Sequence, residues 1–111
     1  MENTMKAILI NVKTQKIKEV EHDDTLTNIY NHIDCSRFDV VRIDNINGIY
    51  VDDEGFCKDN LHFDYRGEYG NMMLAGSGLI LGVDSEGNSI SPTLTVEDVK
   101  DRVTWLSTLD E

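Results

Sequence analysis

Apolar residues gather in short runs along this chain, and glycine, asparagine, aspartate and lysine separate the runs. Residues 5–12 (Met-Lys-Ala-Ile-Leu-Ile-Asn-Val) are almost continuously apolar, the pattern of a strand covered on both faces. A polar break at Lys13-Thr14-Gln15 leads to residues 16–21, where Ile17 and Val20 are the apolar anchors of a half-exposed strand, so the first element is a hairpin. Asp23, Asp24 and Thr25 then offer side-chain oxygens to the free N–H groups of a helix start. Leu26, Ile29, Tyr30 and Ile33 follow at i, i+3, i+4, i+7, which predicts an amphipathic helix over residues 25–33.

Residues 38–43 and 48–51 are β-branched and aromatic, and the linking segment 44–48 ends in an Asn-Gly step that tolerates positive φ, so a second hairpin is expected there. Residues 52–55 turn the chain, 60–65 form a short strand or extended segment, and 66–71 read as a glycine-bearing loop. Residues 79–83 predict a buried strand, 84–88 its turn and 89–90 a short return. Thr95 stands three residues before Asp98, close to a capping box, and Val96, Val99, Val103 and Leu106 continue at helical spacing, predicting a helix over 96–107. Trp105 lies off the centre of that stripe, where it flanks the core or serves as a contact residue. Val40, Ile80, Leu81, Val99 and Val103 belong to the expected core. Together these elements predict one domain spanning residues 1–111, with ends at 1–4 and 108–111 that fray. Its class is α+β: a mixed, mainly antiparallel sheet of four to six strands packed by two short helices.

Composition agrees with a chain that folds unaided: 40% of residues are apolar and 28% charged. Charge is the unusual quantity. Twenty-one acidic residues against 10 basic ones give a formal net charge of -11, a field that opposes direct binding to nucleic acid or to an anionic membrane. The same acidity serves solubility, or it imitates a phosphate backbone to occupy a DNA-binding protein. The acids are scattered rather than regularly spaced, which favours solubility. Apolar runs near the start are too short for a signal core or a membrane span, so a cytoplasmic protein is expected, with Cys35 and Cys57 as reduced thiols.

Candidate chemistry is sparse. Val51-Asp52-Asp53-Glu54-Gly55 and Val83-Asp84-Ser85-Glu86-Gly87 share a Val-Asp-x-Glu-Gly pattern, which suits hard cations but also meets the ordinary demands of a tight turn. Ala75-Gly76-Ser77-Gly78 precedes a strand rather than a helix, so it reads as a close approach of backbone to core or ligand and not as a phosphate cradle. His22, His32 and His62 lack metal-ligand spacing, and no metal, cofactor or catalytic residue is expected. Residues 61–69 differ, because they concentrate aromatics, a histidine and one of four arginines. Aromatic faces beside an arginine fork suit a planar or anionic partner. Phe63, Tyr65, Arg66 and Tyr69, with Gly76 and Gly78 of the neighbouring turn, are the candidate ligand- or partner-binding residues.

Five blocks occur in order: Met5-Lys6-Ala7-Ile8-Leu9-Ile10, Phe38-Asp39-Val40-Val41-Arg42, Tyr50-Val51-Asp52-Asp53-Glu54-Gly55, Gly78-Leu79-Ile80-Leu81-Gly82 and Ser91-Pro92-Thr93-Leu94-Thr95. In them the chain resembles the family of domain of unknown function 3846, small proteins of bacteriophages and mobile elements, from Met5 to about Val103. The resemblance implies an accessory gene product acting in the cytoplasm of a bacterial host, and it implies no activity or functional residue.

Three functions are therefore expected in descending order. The first is a non-enzymatic accessory protein that binds a host protein or a small anionic signalling ligand, in the service of countering host defence. The second is an acidic DNA mimic that inhibits a nucleic-acid enzyme. The third is a metal-assisted enzyme, which would require Asp52, Asp53, Asp84 or Glu86 to converge.

Overall fold

The computed structural model describes residues 5–22, 26–33, 37–53 and 62–106. Among the described residues the hydrophobic pattern resolves into nine strands and two helices, in the order β1 (Met5–Asn11), β2 (Lys16–His22), α1 (Leu26–Ile33), β3 (Phe38–Arg42), β4 (Asn47–Asp52), β5 (His62–Gly67), β6 (Gly70–Ala75), β7 (Gly78–Val83), β8 (Ser89–Ile90), α2 (Val96–Arg102) and β9 (Val103–Leu106). The expected single sheet of four to six strands is instead two sheets. One has six strands in the order β2-β1-β7-β4-β3 with β8 joined to β7; the other has three in the order β6-β5-β9. Every described ladder is antiparallel, so no parallel pairing mixes the sheet.

The near-continuous apolar runs are explained by burial on two faces. Ile8, Ile10, Ile49 and Ile80 point toward the three-stranded sheet and α2, joining Phe63, Tyr65, Leu74 and Val99 in the main core. Their neighbours Ala7, Leu9, Leu79 and Leu81 point the other way and are covered by Ile29 and Ile33 of α1. The register keeps each set on its face, with Ile8 opposite Ile80 and Leu9 opposite Leu79. Only one face of α1 is needed, and its expected stripe supplies Ile29 and Ile33 at 5% and 4% exposure. The helix-start residues Asp23, Asp24 and Thr25 lie outside the described residues, as do Cys35 and Cys57.

Three expectations change. The helix predicted over 96–107 stops at Arg102, because Val103 is extended (φ -99, ψ 134) and begins β9. The valine spacing fits a helix up to Val103, but Val103 opposite Tyr65 and Trp105 opposite Phe63 make an edge ladder that the last residues join instead. The capping box at the other end is present: Thr95 accepts from the Asp98 N–H, and Asp98 accepts from the Thr95 N–H at 3.0 Å. The loop expected at 66–71 is a hairpin, with Gly67 opposite Gly70 and only Glu68 and Tyr69 between β5 and β6. Gly70 takes φ +119, which a residue with a Cβ rarely adopts. Val40, expected in the core, is 38% exposed on the outer strand β3, where Phe38 and Val41 are the residues that pack inward, one on each face; Val103 is half-buried.

The turn at 44–47 is also made differently from expectation. Gly48 is not among the positive-φ residues. Asp44 carries the turn, its Oδ1 accepting from the Ile46 and Asn47 N–H groups at 2.7 and 2.6 Å. Asn47, fully buried, donates from Nδ2 to Asp44 and to Thr93 Oγ1, and accepts from the Thr93 N–H, which ties the approach to α2 onto the large sheet.

Candidate functional site

The six residues singled out from the sequence do not assemble. Phe63 and Tyr65 sit at 0% and 1% exposure between the sheets, because β5 is the middle strand of the small sheet and its odd-numbered side chains face the core. They are core residues and offer no surface to a partner. Arg66 and Tyr69 are exposed at the hairpin tip, but both are engaged: Arg66 Nη2 donates to the Asp101 carbonyl at 3.2 Å and Tyr69 OH donates to Asn45 Oδ1 at 2.8 Å. Arg102 Nη1 returns a bond to the Arg66 carbonyl at 2.9 Å, so the two arginines fasten the hairpin to the end of α2. Gly76 and Gly78 lie beyond the far end of β6, about 20 Å along the strand from the tip.

The glycine turn answers to packing. Gly76 has φ +82. A Cβ on Gly78 would come within 2.7 Å of Ile49 Cγ2 and 3.4 Å of Phe63 Cζ, so the backbone of β7 lies directly on the core. Ser77 between them accepts from the Val12 N–H at 3.1 Å. This is the close approach of backbone to core expected for the segment.

The acidic turns are likewise local. Asp84 Oδ1 accepts from the Glu86 and Asn88 N–H groups, both at 2.9 Å, and these bonds, the Asn88 backbone foremost, hold its carboxyl below the usual range. Asp53 faces Arg37 at 3.2 Å, while Asp52 is buried at the end of β4. Among the described residues no three His, Cys, Asp or Glu side chains are grouped to hold a metal ion. The convergence that a metal-assisted enzyme would need among Asp52, Asp53, Asp84 and Glu86 is not found there. Nor is any described helix long and apolar enough to cross a membrane.

A groove of about 460 Å³ opens elsewhere, lined by Gln15, Lys16, Ile17, Lys18, Lys100 and Trp105. It lies between β2, the outer strand of the large sheet, and the α2–β9 segment, whose strand is the outer one of the small sheet. Ile17 is 8% exposed and belongs to the main core, so it anchors the floor. Trp105 packs one edge on Phe63, with centroids 6.3 Å apart at 64°, and is half-buried where it meets the groove. Lys16, Lys18 and Lys100 are exposed. Three of the chain's 10 basic residues thus surround one apolar groove in a protein of net charge -11, a local reversal of sign.

Residue-level reading missed this groove because its walls come from opposite ends of the chain. Two signals existed in the sequence: lysines at alternate positions 16 and 18 beside an apolar residue, and a lone tryptophan off its helical stripe. A second, shallower depression of about 270 Å³, lined by Asp44, Asn45, Ile46, Glu68, Thr93 and Leu94, carries two acids and no base.

No curated protein and no solved structure matches the chain. The family model described as domain of unknown function (DUF3846) matches residues 5–104, nearly the whole sequence, and takes in every described strand and helix except the last two residues of β9. The chain belongs to the DUF3846 family.

Proposed function

We propose that this protein is a non-enzymatic binding protein that captures an anionic partner in the groove between β2 and the α2–β9 segment. The carrying observation is the juxtaposition of Lys16, Lys18 and Lys100 with Trp105 and Ile17. A cluster of ammonium groups attracts a negative group locally against the acidic field of the rest of the chain, and the apolar floor adds contact area once the charge has docked. In the bacteriophage or mobile-element setting that the family resemblance suggests, the partner is a host protein or a small anionic signalling ligand, and its capture serves to counter host defence.

The chain's single tryptophan lies in the groove, so its fluorescence reports occupancy there. Inorganic tripolyphosphate and polyglutamate should each perturb Trp105 saturably, with affinity falling as salt rises. Lys100→Gln should weaken both without lowering the melting temperature, since Lys100 is exposed and its Glu97 contact is long, at 3.8 Å. If neither anion perturbs Trp105 and only a cationic probe such as polylysine binds, the acidic surface is the working face. The DNA-mimic reading, favoured by the charge of -11, then replaces this one.

A further inference from the structure

The geometry points to an extended acidic peptide as the occupant of the groove, added to the large sheet as a strand alongside β2. This rests on the proposed anion-binding groove and names its ligand class. β2 ends the strand order of its sheet and has a strand partner, β1, on one side only among the described residues. Its residues Lys16, Ile17 and Lys18 line the groove, while the Glu21 carbonyl further along is within 3.1 Å of His32 Nε2, so an extended segment would match the edge in the first half of the strand. Side chains of a strand alternate between faces, so Ile17 points toward the core side shared with Trp105, while Lys16 and Lys18 start from the opposite face. An added strand must match both faces. It needs an apolar residue opposite Ile17, packed toward Trp105, and a carboxylate on each side of it opposite Lys16 and Lys18. The required pattern, acid–apolar–acid, reads the same in both chain directions, so it holds for parallel or antiparallel addition. Beyond Lys18 the strand carries Glu19 and Glu21, Glu19 already held by Lys6 at 2.9 Å, which confines an acidic segment to the first half of β2.

The same charges argue against a second copy of this chain as the occupant. A two-fold dimer pairing β2 with β2 keeps each face continuous, so residues of equal parity must oppose one another. Centring it on Lys18 sets lysine against lysine, and centring it on Glu19 sets glutamate against glutamate. Centring it on Val20 sets Glu19 against Glu21 twice. Like charges directly opposite are destabilising in each register. Lysines on an outer strand commonly serve only to prevent such pairing, but that role needs neither a groove nor a tryptophan beside it.

The test titrates the full chain with a blocked peptide of core Glu-Val-Glu flanked by threonines, followed by calorimetry and Trp105 fluorescence. Two further peptides carry a single N-methyl group, one on the valine amide and one on the following glutamate amide. Consecutive strand amides point to opposite sides, so strand addition predicts that one methyl group abolishes binding and the other is tolerated. Lys16→Gln with Lys18→Gln should weaken the unmethylated peptide by roughly tenfold or more. Equal binding of the two methylated peptides overturns strand addition. Binding of tripolyphosphate or ATP without binding of the peptide also overturns it, while leaving the anion-binding groove standing. If peptide, tripolyphosphate and ATP all fail to bind, the groove reading itself is lost.

Discussion

Tyr65 shows how position in the sheet overrides the chemistry a side chain advertises. Its ring fills the core, and its hydroxyl is buried with no hydrogen-bond partner among the described residues. Burial pushes the phenol pKa up to about 12, because the phenolate would lose its hydration. An unpaired buried hydroxyl costs roughly 1–3 kcal/mol, so Tyr65→Phe should raise the melting temperature. The raised pKa also works against the folded state in alkali. Stability from keeping the phenol neutral is fully present below the unfolded value near pH 10 and is lost as pH rises toward 12. Alkaline melts should therefore fall less steeply in Tyr65→Phe than in the parent; a lower melting temperature at neutral pH would show that the hydroxyl has a partner in solution. Gly78 is the opposite case. Its Cβ site is 2.7 Å from Ile49 Cγ2, itself fully buried, so neither atom can retreat cheaply. Gly78→Ala should destabilise by about 1–3 kcal/mol in a denaturant titration, through overpacking rather than backbone strain.

Among the elements, the β3–β4 hairpin depends on a single carboxylate. Burial alone would raise the pKa of Asp44, but hydrogen bonds from the Asn47 side chain and from the Asn47 and Ile46 backbones outweigh it and hold the carboxyl below its usual value. A depressed carboxylate contributes stability above its unfolded pKa, and this is lost as pH falls through the folded value. Thermal melts should therefore weaken below about pH 4, and Asp44→Asn, which keeps an acceptor oxygen but cannot titrate, should flatten part of that acid limb. An unchanged acid limb would assign the loss to Asp84 and Asp98, whose carboxyls are lowered by their own backbone bonds. The hairpins β1–β2 and β3–β4 and strand β7 were legible in sequence because their apolar periods are plain, although the β3–β4 turn rests on Asp44 and not on the Asn-Gly step. Of β5–β6 only the extended segment of β5 was, since Gly67, Gly70 and Asn71 read as loop until the partner strand is known. β9 was not either: Val103 satisfies a helical spacing locally, and only Tyr65, thirty-eight residues earlier, makes it a strand. The groove was illegible for the same reason, being the product of two sheet edges meeting.

At the scale of the whole molecule, function and stability meet at α2. Val99 is its one fully buried residue, inserted between the sheets with Ile10, Ile17 and Phe63. Six residues further on, in β9, Trp105 lines the groove opposite β2. The packing that holds α2 therefore also sets the width of the groove. Domains of this size are stable by only about 5–15 kcal/mol, and removing a partner from a buried charge costs on the order of 3–5 kcal/mol. Val99→Asp leaves such a charge with no neighbouring base in the core, so it should abolish the cooperative melt. Val99→Ala removes two methyl groups at a cost of about 1–3 kcal/mol and should lower the melting temperature by roughly 5–20 °C while the chain stays folded. If the packing of α2 shapes the groove, Val99→Ala should also bind tripolyphosphate more weakly than Lys13→Gln, which removes a charge outside the groove and leaves the core intact. A Val99→Asp variant that melts like the parent would show that α2 does not rest on the core. The width of the groove would then need another determinant, with the β5–β9 ladder the first to test.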